Sequence, residues 1–235
     1  MNYILFLIVI LLTNIIQGIT GFAGTVLAMP FSILLIGINT AKPVLNILTI
    51  IACIAIVIKS YKDIVWNEFF KMAAIMLIGV FIGEYIYNAF PLDMLLTIYA
   101  IFIILIALKG LLVKKELNLS EFILIIIILA AGIIHGMFIS GGPLLIIYAV
   151  KRLKDKEKFR ATLSPIWIVL NTYIFIKQIF TGVITISIMK AVLWAIPALL
   201  VGVVLGNRLA KKMSQEAFLK LSYVLLLISG VSLII

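Results

Sequence analysis

The chain of 235 residues is short of almost everything that covers the surface of a soluble protein. Charged residues make up 12% of it and hydrophobic ones 65%, roughly half the charged share of an average soluble domain, and the mean hydropathy is +1.34. That excludes a soluble globule and implies a polytopic membrane protein. Cys53 is the only cysteine, so there is no internal disulfide, no zinc cluster and no redox pair. His135 is the only histidine, and no metal-ligand spacing, P-loop, paired intramembrane carboxylates or nucleophile with its base can be found. These absences argue against an ATP-driven pump and an intramembrane protease. No catalytic residue, cofactor or metal is expected.

Acidic residues are also few, nine against nineteen Lys and Arg, for a net charge of +10. The basic residues sit in short loops between apolar runs and build no soluble basic domain, so no nucleic-acid partner is expected. Met1-Asn2-Tyr3 lacks the positive start of a secretory signal. The apolar run continues to about Ile38 without a small-residue cleavage site, and the segment is read as retained.

What the chain does have is two small, Gly-rich, polar-dotted interruptions of long apolar runs. One is Ile15-Ile16-Gln17-Gly18-Ile19-Thr20-Gly21-Phe22-Ala23-Gly24-Thr25-Val26-Leu27-Ala28-Met29-Pro30. The other is Ala131-Gly132-Ile133-Ile134-His135-Gly136-Met137-Phe138-Ile139-Ser140-Gly141-Gly142-Pro143. Lipid penalises freed backbone groups, so such a break survives only when buried in protein or lining a wet cavity. Close helix packing is the plainer use of the glycines. Two breaks in corresponding places, however, are the sequence signature of a transporter's binding site.

Residues 3 to 37 are too long for one span and barely long enough for two, which the break resolves as a hairpin of two short arms. Asn39-Thr40-Ala41-Lys42-Pro43 follows, with Pro43 suited to a first helical turn. Apolar segments then run over 44–60, 72–88 and 94–110. Gly79 and Gly83 stand at small-xxx-small spacing, a packing signal first. Lys114 to Ser120 is the most polar linker and divides the chain into a first membrane repeat over 1–112, a cytoplasmic linker over 113–120 and a second membrane repeat over 121–235.

The second half repeats the first. At an offset of 118, Gln17-Gly18 falls on His135-Gly136, Gly24 on Gly142, Lys42 on Arg160 and Lys59 on Lys177; after a five-residue insertion the offset of 123 places Gly79 and Gly83 on Gly202 and Gly206. The second half is therefore a hairpin over 121–150 and spans near 161–179, 187–206 and 217–235. If each broken segment returns to the side it entered from, sixteen of the nineteen basic residues collect on one face and only Lys42, Lys177 and Lys190 stay on the other. This bias makes the basic loops cytoplasmic and both termini outside. It also makes the halves inverted, since each contributes a hairpin plus three crossings. The fold expected is all-α and polytopic, two inverted repeats, each a Gly-broken helical hairpin plus three transmembrane helices.

The two broken segments, with Phe159-Arg160-Ala161-Thr162 after a basic loop, resemble the sulfite exporter TauE/SafE family along essentially the whole chain. The resemblance implies a secondary transporter in the cell membrane for sulfur-containing anions such as sulfite, sulfonates or sulfoacetate. Ala23 and Thr25 stand where many members have glycines. The partners expected are the bilayer and a small anion, with either protons or the anion's own gradient driving transport. An anion channel, and a membrane scaffold or enzyme subunit without transport, are the competing readings.

An anion crossing lipid must be met by donors, and a helix restarting after a break offers unpaired N–H groups at the positive end of its dipole. Gly24, Thr25, Gly141 and Gly142 suit that role, and the hydroxyls of Thr20, Thr25 and Ser140 can donate further, unless they bond back to their own helix. His135, matching Gln17, is either a packing residue or the group that couples a proton to the anion. Lys42 and Arg160 open the helices after the hairpins, as snorkelling anchors first and anion ligands second. Asn46, Ser164 and Asn171 line the cavity or bond another helix. Glu84 is expected to be solvated near the outer end of its span.

Overall fold

A computed structural model describes residues 3–112 and 119–232. Its helices are α1 (Tyr3–Thr20), α2 (Ala23–Ile36), α3 (Ile38–Ser60), α4 (Trp66–Ala89), α5 (Leu92–Leu112), α6 (Glu121–Phe138), α7 (Gly142–Arg152), α8 (Lys156–Phe180), α9 (Ile186–Lys212) and α10 (Gln215–Ser232), with one 3-10 turn at Tyr61–Asp63. Among the described residues there is no strand, and the protein is an all-α polytopic membrane protein. Six helices, α3, α4, α5, α6, α8 and α9, are long and apolar enough to cross a membrane. Residues 113–118 of the expected linker lie outside the described residues.

Polar residues mark where the helices begin. The Ser120 hydroxyl accepts from the Ile123 N–H, the Asp155 carboxylate from Glu157 and Lys158, and the Thr185 hydroxyl from Ile188, each filling a donor that the first turn leaves open. Large apolar side chains such as Ile4, Phe70, Leu105, Phe122 and Trp194 remain exposed, as a surface facing lipid requires.

Both broken segments fold as helix, break, helix. The second visibly returns to its starting end, since Arg152 at the end of α7 pairs with Glu121 at the start of α6, and Lys151 donates to the Leu119 carbonyl at 2.7 Å. Three details differ from the sequence reading. The first arms are not short: α1 and α6 have 18 residues each, about 27 Å at 1.5 Å per residue. Of the crossings expected, α10 over its described residues is not among the six long apolar helices, whereas α6 is. Pro43 does not open a helix but lies inside α3, which starts at Ile38 after Gly37, whose φ of 72° breaks the chain.

Glycine lets the helices touch along their backbones. A Cβ on Gly79 would collide with the Leu129 carbonyl of α6, and one on Gly83 with the Ile133 carbonyl. In the other half a Cβ on Gly202 would stand 2.7 Å from the Leu11 carbonyl of α1, and one on Gly206 would collide with the Ile15 carbonyl. Gly136 lies against Val80 as Gly18 lies against Val203. Each contact maps onto its counterpart through the two sequence offsets, so α4 lies along α6 as α9 lies along α1.

Candidate functional site

The first break is closed by its own side chains. Gly21, at φ 80°, ends α1 with its N–H on the Gln17 carbonyl at 2.7 Å. The Thr20 hydroxyl donates back to the Ile16 carbonyl at 2.9 Å and accepts from Phe22 and Ala23 N–H at 3.3 and 3.1 Å. The Gln17 amide oxygen accepts from the Gly24 N–H at 2.8 Å. Thr49 gives its single proton to the Leu45 carbonyl, so the close pair between Thr25 and Thr49 hydroxyls has Thr25 as donor. Gly24 is small for a packing reason, because a Cβ there would stand 2.6 Å from the Gln17 Cβ.

The second break has the same shape and different chemistry. Ile139 holds the position of Gly21, and its φ of 56° is left-handed, a conformation that costs a β-branched residue about 1–2 kcal/mol. Its side chain is 2% exposed, so the surrounding packing holds it in that conformation. The Ser140 hydroxyl donates to the Phe138 carbonyl at 2.9 Å. Gly141 caps α7 without a side-chain hydrogen bond, and Pro143 follows in the first turn. His135 stands where Gln17 stands, yet among the described residues neither ring nitrogen has a partner in hydrogen-bond geometry, although the Asn171 carboxamide is near enough to accept from a protonated ring. The imidazole is 2% exposed and stacks on the Trp167 indole with centroids 5.2 Å apart. Gly141 permits the close return of the chain, since its Cβ would meet the His135 Cβ at 2.9 Å.

The breaks meet. A Cβ on Gly142 would touch the Phe22 ring at 2.9 Å and the Phe22 carbonyl at 3.3 Å. Gln17, Thr25 and Thr49 from the first half and His135, Gly142 and Trp167 from the second line one cavity of about 10 Å³, room for about one water molecule.

α3 and α8 supply the walls through matching stripes at i, i+4, i+7 and i+11, which share one helix face: Lys42, Asn46, Thr49 and Cys53 on α3, Arg160, Ser164, Trp167 and Asn171 on α8. The Asn46 amide donates to the Asn171 carbonyl and the Gln178 amide oxygen, both at 3.2 Å, and the Asn171 amide to the Trp167 carbonyl at 2.7 Å. The carboxamide oxygens of both asparagines are buried without a partner. Ser164 bonds back to the Arg160 carbonyl at 2.8 Å. The Trp167 indole N–H donates to the Gly21 carbonyl at 3.0 Å, so one side chain touches both breaks.

The two cations are not snorkelling anchors. Arg160, 5% exposed, donates to the Gly18 carbonyl at 2.7 Å and to Asn207, and pairs with Glu157 at 3.0 Å. Lys42 reaches the equivalent carbonyl, that of Gly136, at 3.4 Å and lies 3.8 Å over the Tyr87 ring. Each cation thus sits at the negative end of the other half's first hairpin arm; the anchor reading fails because both side chains turn inward to a helix end. Nor is Glu84 solvated: it accepts from Lys177 at 2.8 Å and from the Tyr173 hydroxyl at 3.0 Å, its side chain 13% exposed. Trp167, Thr49, Cys53, Gln178 and Asn207 were not singled out from sequence, though the four-residue stripes of α3 and α8 carry the first three.

A model of the sulfite exporter TauE/SafE family matches residues 5–233. The chain belongs to that family. Over 104 residues it is 35% identical to the "Probable inner membrane transporter protein TsaS" of Comamonas testosteroni, and the aligned stretch covers 43% of this chain and 43% of that relative. No solved structure matches. Within this TauE/SafE member the thirteen residues expected at the site divide: Gln17, Thr25, His135 and Gly142 face the common cavity, while Lys42 and Arg160 hold helix ends.

Proposed function

We propose that this protein is a secondary transporter that moves small sulfur-containing oxyanions across the cytoplasmic membrane by alternating access between two inverted halves. The observation that carries the reading is the meeting of the two helix breaks at one small cavity lined by residues of both. Membership of the TauE/SafE family supports the substrate class. The matching glycine contacts of α4 on α6 and α9 on α1 support the repeat, and the hairpin plus three crossings expected in each half would make it inverted. The remaining expected site residues, Thr20, Gly24, Asn46, Ser140, Gly141, Ser164 and Asn171, shape the breaks and the walls between them. His135 is the coupling residue in this reading, gaining a proton as the anion binds.

A carrier and a channel part company in reconstituted membranes. Proteoliposomes should take up sulfite, sulfoacetate or methanesulfonate slowly and saturably, and planar bilayers should show no unitary currents. Unitary anion currents would make it a channel. No flux, together with no effect of any of these anions on the melting temperature, would make it a scaffold.

A further inference from the structure

The two breaks are alike in backbone and opposite in hydrogen bonding. At the first, Thr20 and Gln17 take the N–H groups of Phe22, Ala23 and Gly24, so three donors at the start of α2 are occupied. At the second, among the described residues, no side chain caps the eleven-residue α7, and the residue in Gln17's place is a histidine with neither nitrogen in hydrogen-bond geometry. That ring is buried and lines the same cavity as Gly142. A buried imidazole without a partner is costly, and an uncapped helix start beside it supplies the remaining parts of an oxyanion site.

We propose that the anion is held at the second break alone, between the start of α7 and the His135 ring, while the first break is closed by its own Gln17 and Thr20. This rests on the anion-transport reading above and narrows its site from both breaks to one. The ligand is a small oxyanion, whose oxygens accept from the backbone N–H groups and from an imidazole N–H. Ile139 takes, with a side chain, the positive φ that Gly21 takes in the other half.

The substitution His135→Gln tests this directly, because a glutamine there can cap Gly142 as Gln17 caps Gly24. Purified protein is melted with and without sulfite, sulfoacetate and methanesulfonate. His135→Gln should remove the anion-induced rise in melting temperature, with apparent affinity weaker by about tenfold or more, the scale of a lost hydrogen bond to a charged group. His135→Phe, which keeps a ring on Trp167 and removes both nitrogens, should do the same and serves if the glutamine protein does not fold. Thr20→Ala should melt lower through loss of the hydroxyl that takes the Phe22 and Ala23 N–H groups and still be raised by the anion. An anion response that survives in a folded His135 variant, or that disappears in folded Thr20→Ala, overturns the assignment to the second break. A wild-type protein that responds to none of the three overturns the transport reading itself.

Discussion

At the scale of a residue, most of the conspicuous glycines answer to packing. Gly83 and Gly206 sit where a methyl group would run into the carbonyl oxygens of Ile133 and Ile15, backbone atoms that cannot swing aside. Gly83→Ala and Gly206→Ala should each destabilise the protein by about 1–3 kcal/mol, the usual cost of overpacking. The two should cost about the same, because they occupy equivalent contacts. Thermal unfolding in detergent checks this, and a large effect of one with none of the other would break the equivalence of the halves. The sequence marked these glycines for packing and those of the breaks for an anion; the contacts move Gly24 and Gly141 to the packing side, against Gln17 and His135. Gly142 alone faces the other break.

At the scale of an element, the hairpins were legible from a length too great for one span and a break near its middle. The ion pair of Arg152 with Glu121 is the contact that such a return demands. Sidedness is open to direct measurement. Cys53 is fully buried, so background labelling is low, and the exposed Lys154 and Asn39 are suited to replacement where the Asp155 cap is not. Lys154→Cys should be protected from an impermeant thiol reagent in intact cells and Asn39→Cys labelled. The reverse pattern would turn the protein over in the membrane.

At the scale of the molecule, the site's electrostatics come from elements far apart in sequence. The groups that face the His135 ring are Lys42 of α3 and Trp167 and Asn171 of α8, and no carboxylate of the described residues acts on it; Glu84 of α4 is tied to Lys177. An imidazolium there would have a like charge for a neighbour, so in the proposed reading its countercharge is the bound anion. Proton and anion then bind in each other's favour. Affinity for methanesulfonate, whose own charge does not change in this range, should rise as pH falls from about 8 to 6, by up to about tenfold per unit. Equal affinity across that range, read from melting curves, would return His135 to a packing role.

The sequence by itself determined the membrane class and the helix breaks, because both depend on composition and hydrophobic run length, which are local properties. It also carried the pairing of Lys42 with Arg160 and of Gln17 with His135. Only the tertiary structure decided what those pairs do. Whether a cation snorkels or reaches a helix end, and whether a glutamine caps a break while the matching histidine does not, depends on which carbonyls and N–H groups the packed helices bring within hydrogen-bond distance. Arg160 meets Gly18 across 142 residues of chain and Lys42 meets Gly136 across 94, separations at which no local pattern records a partner.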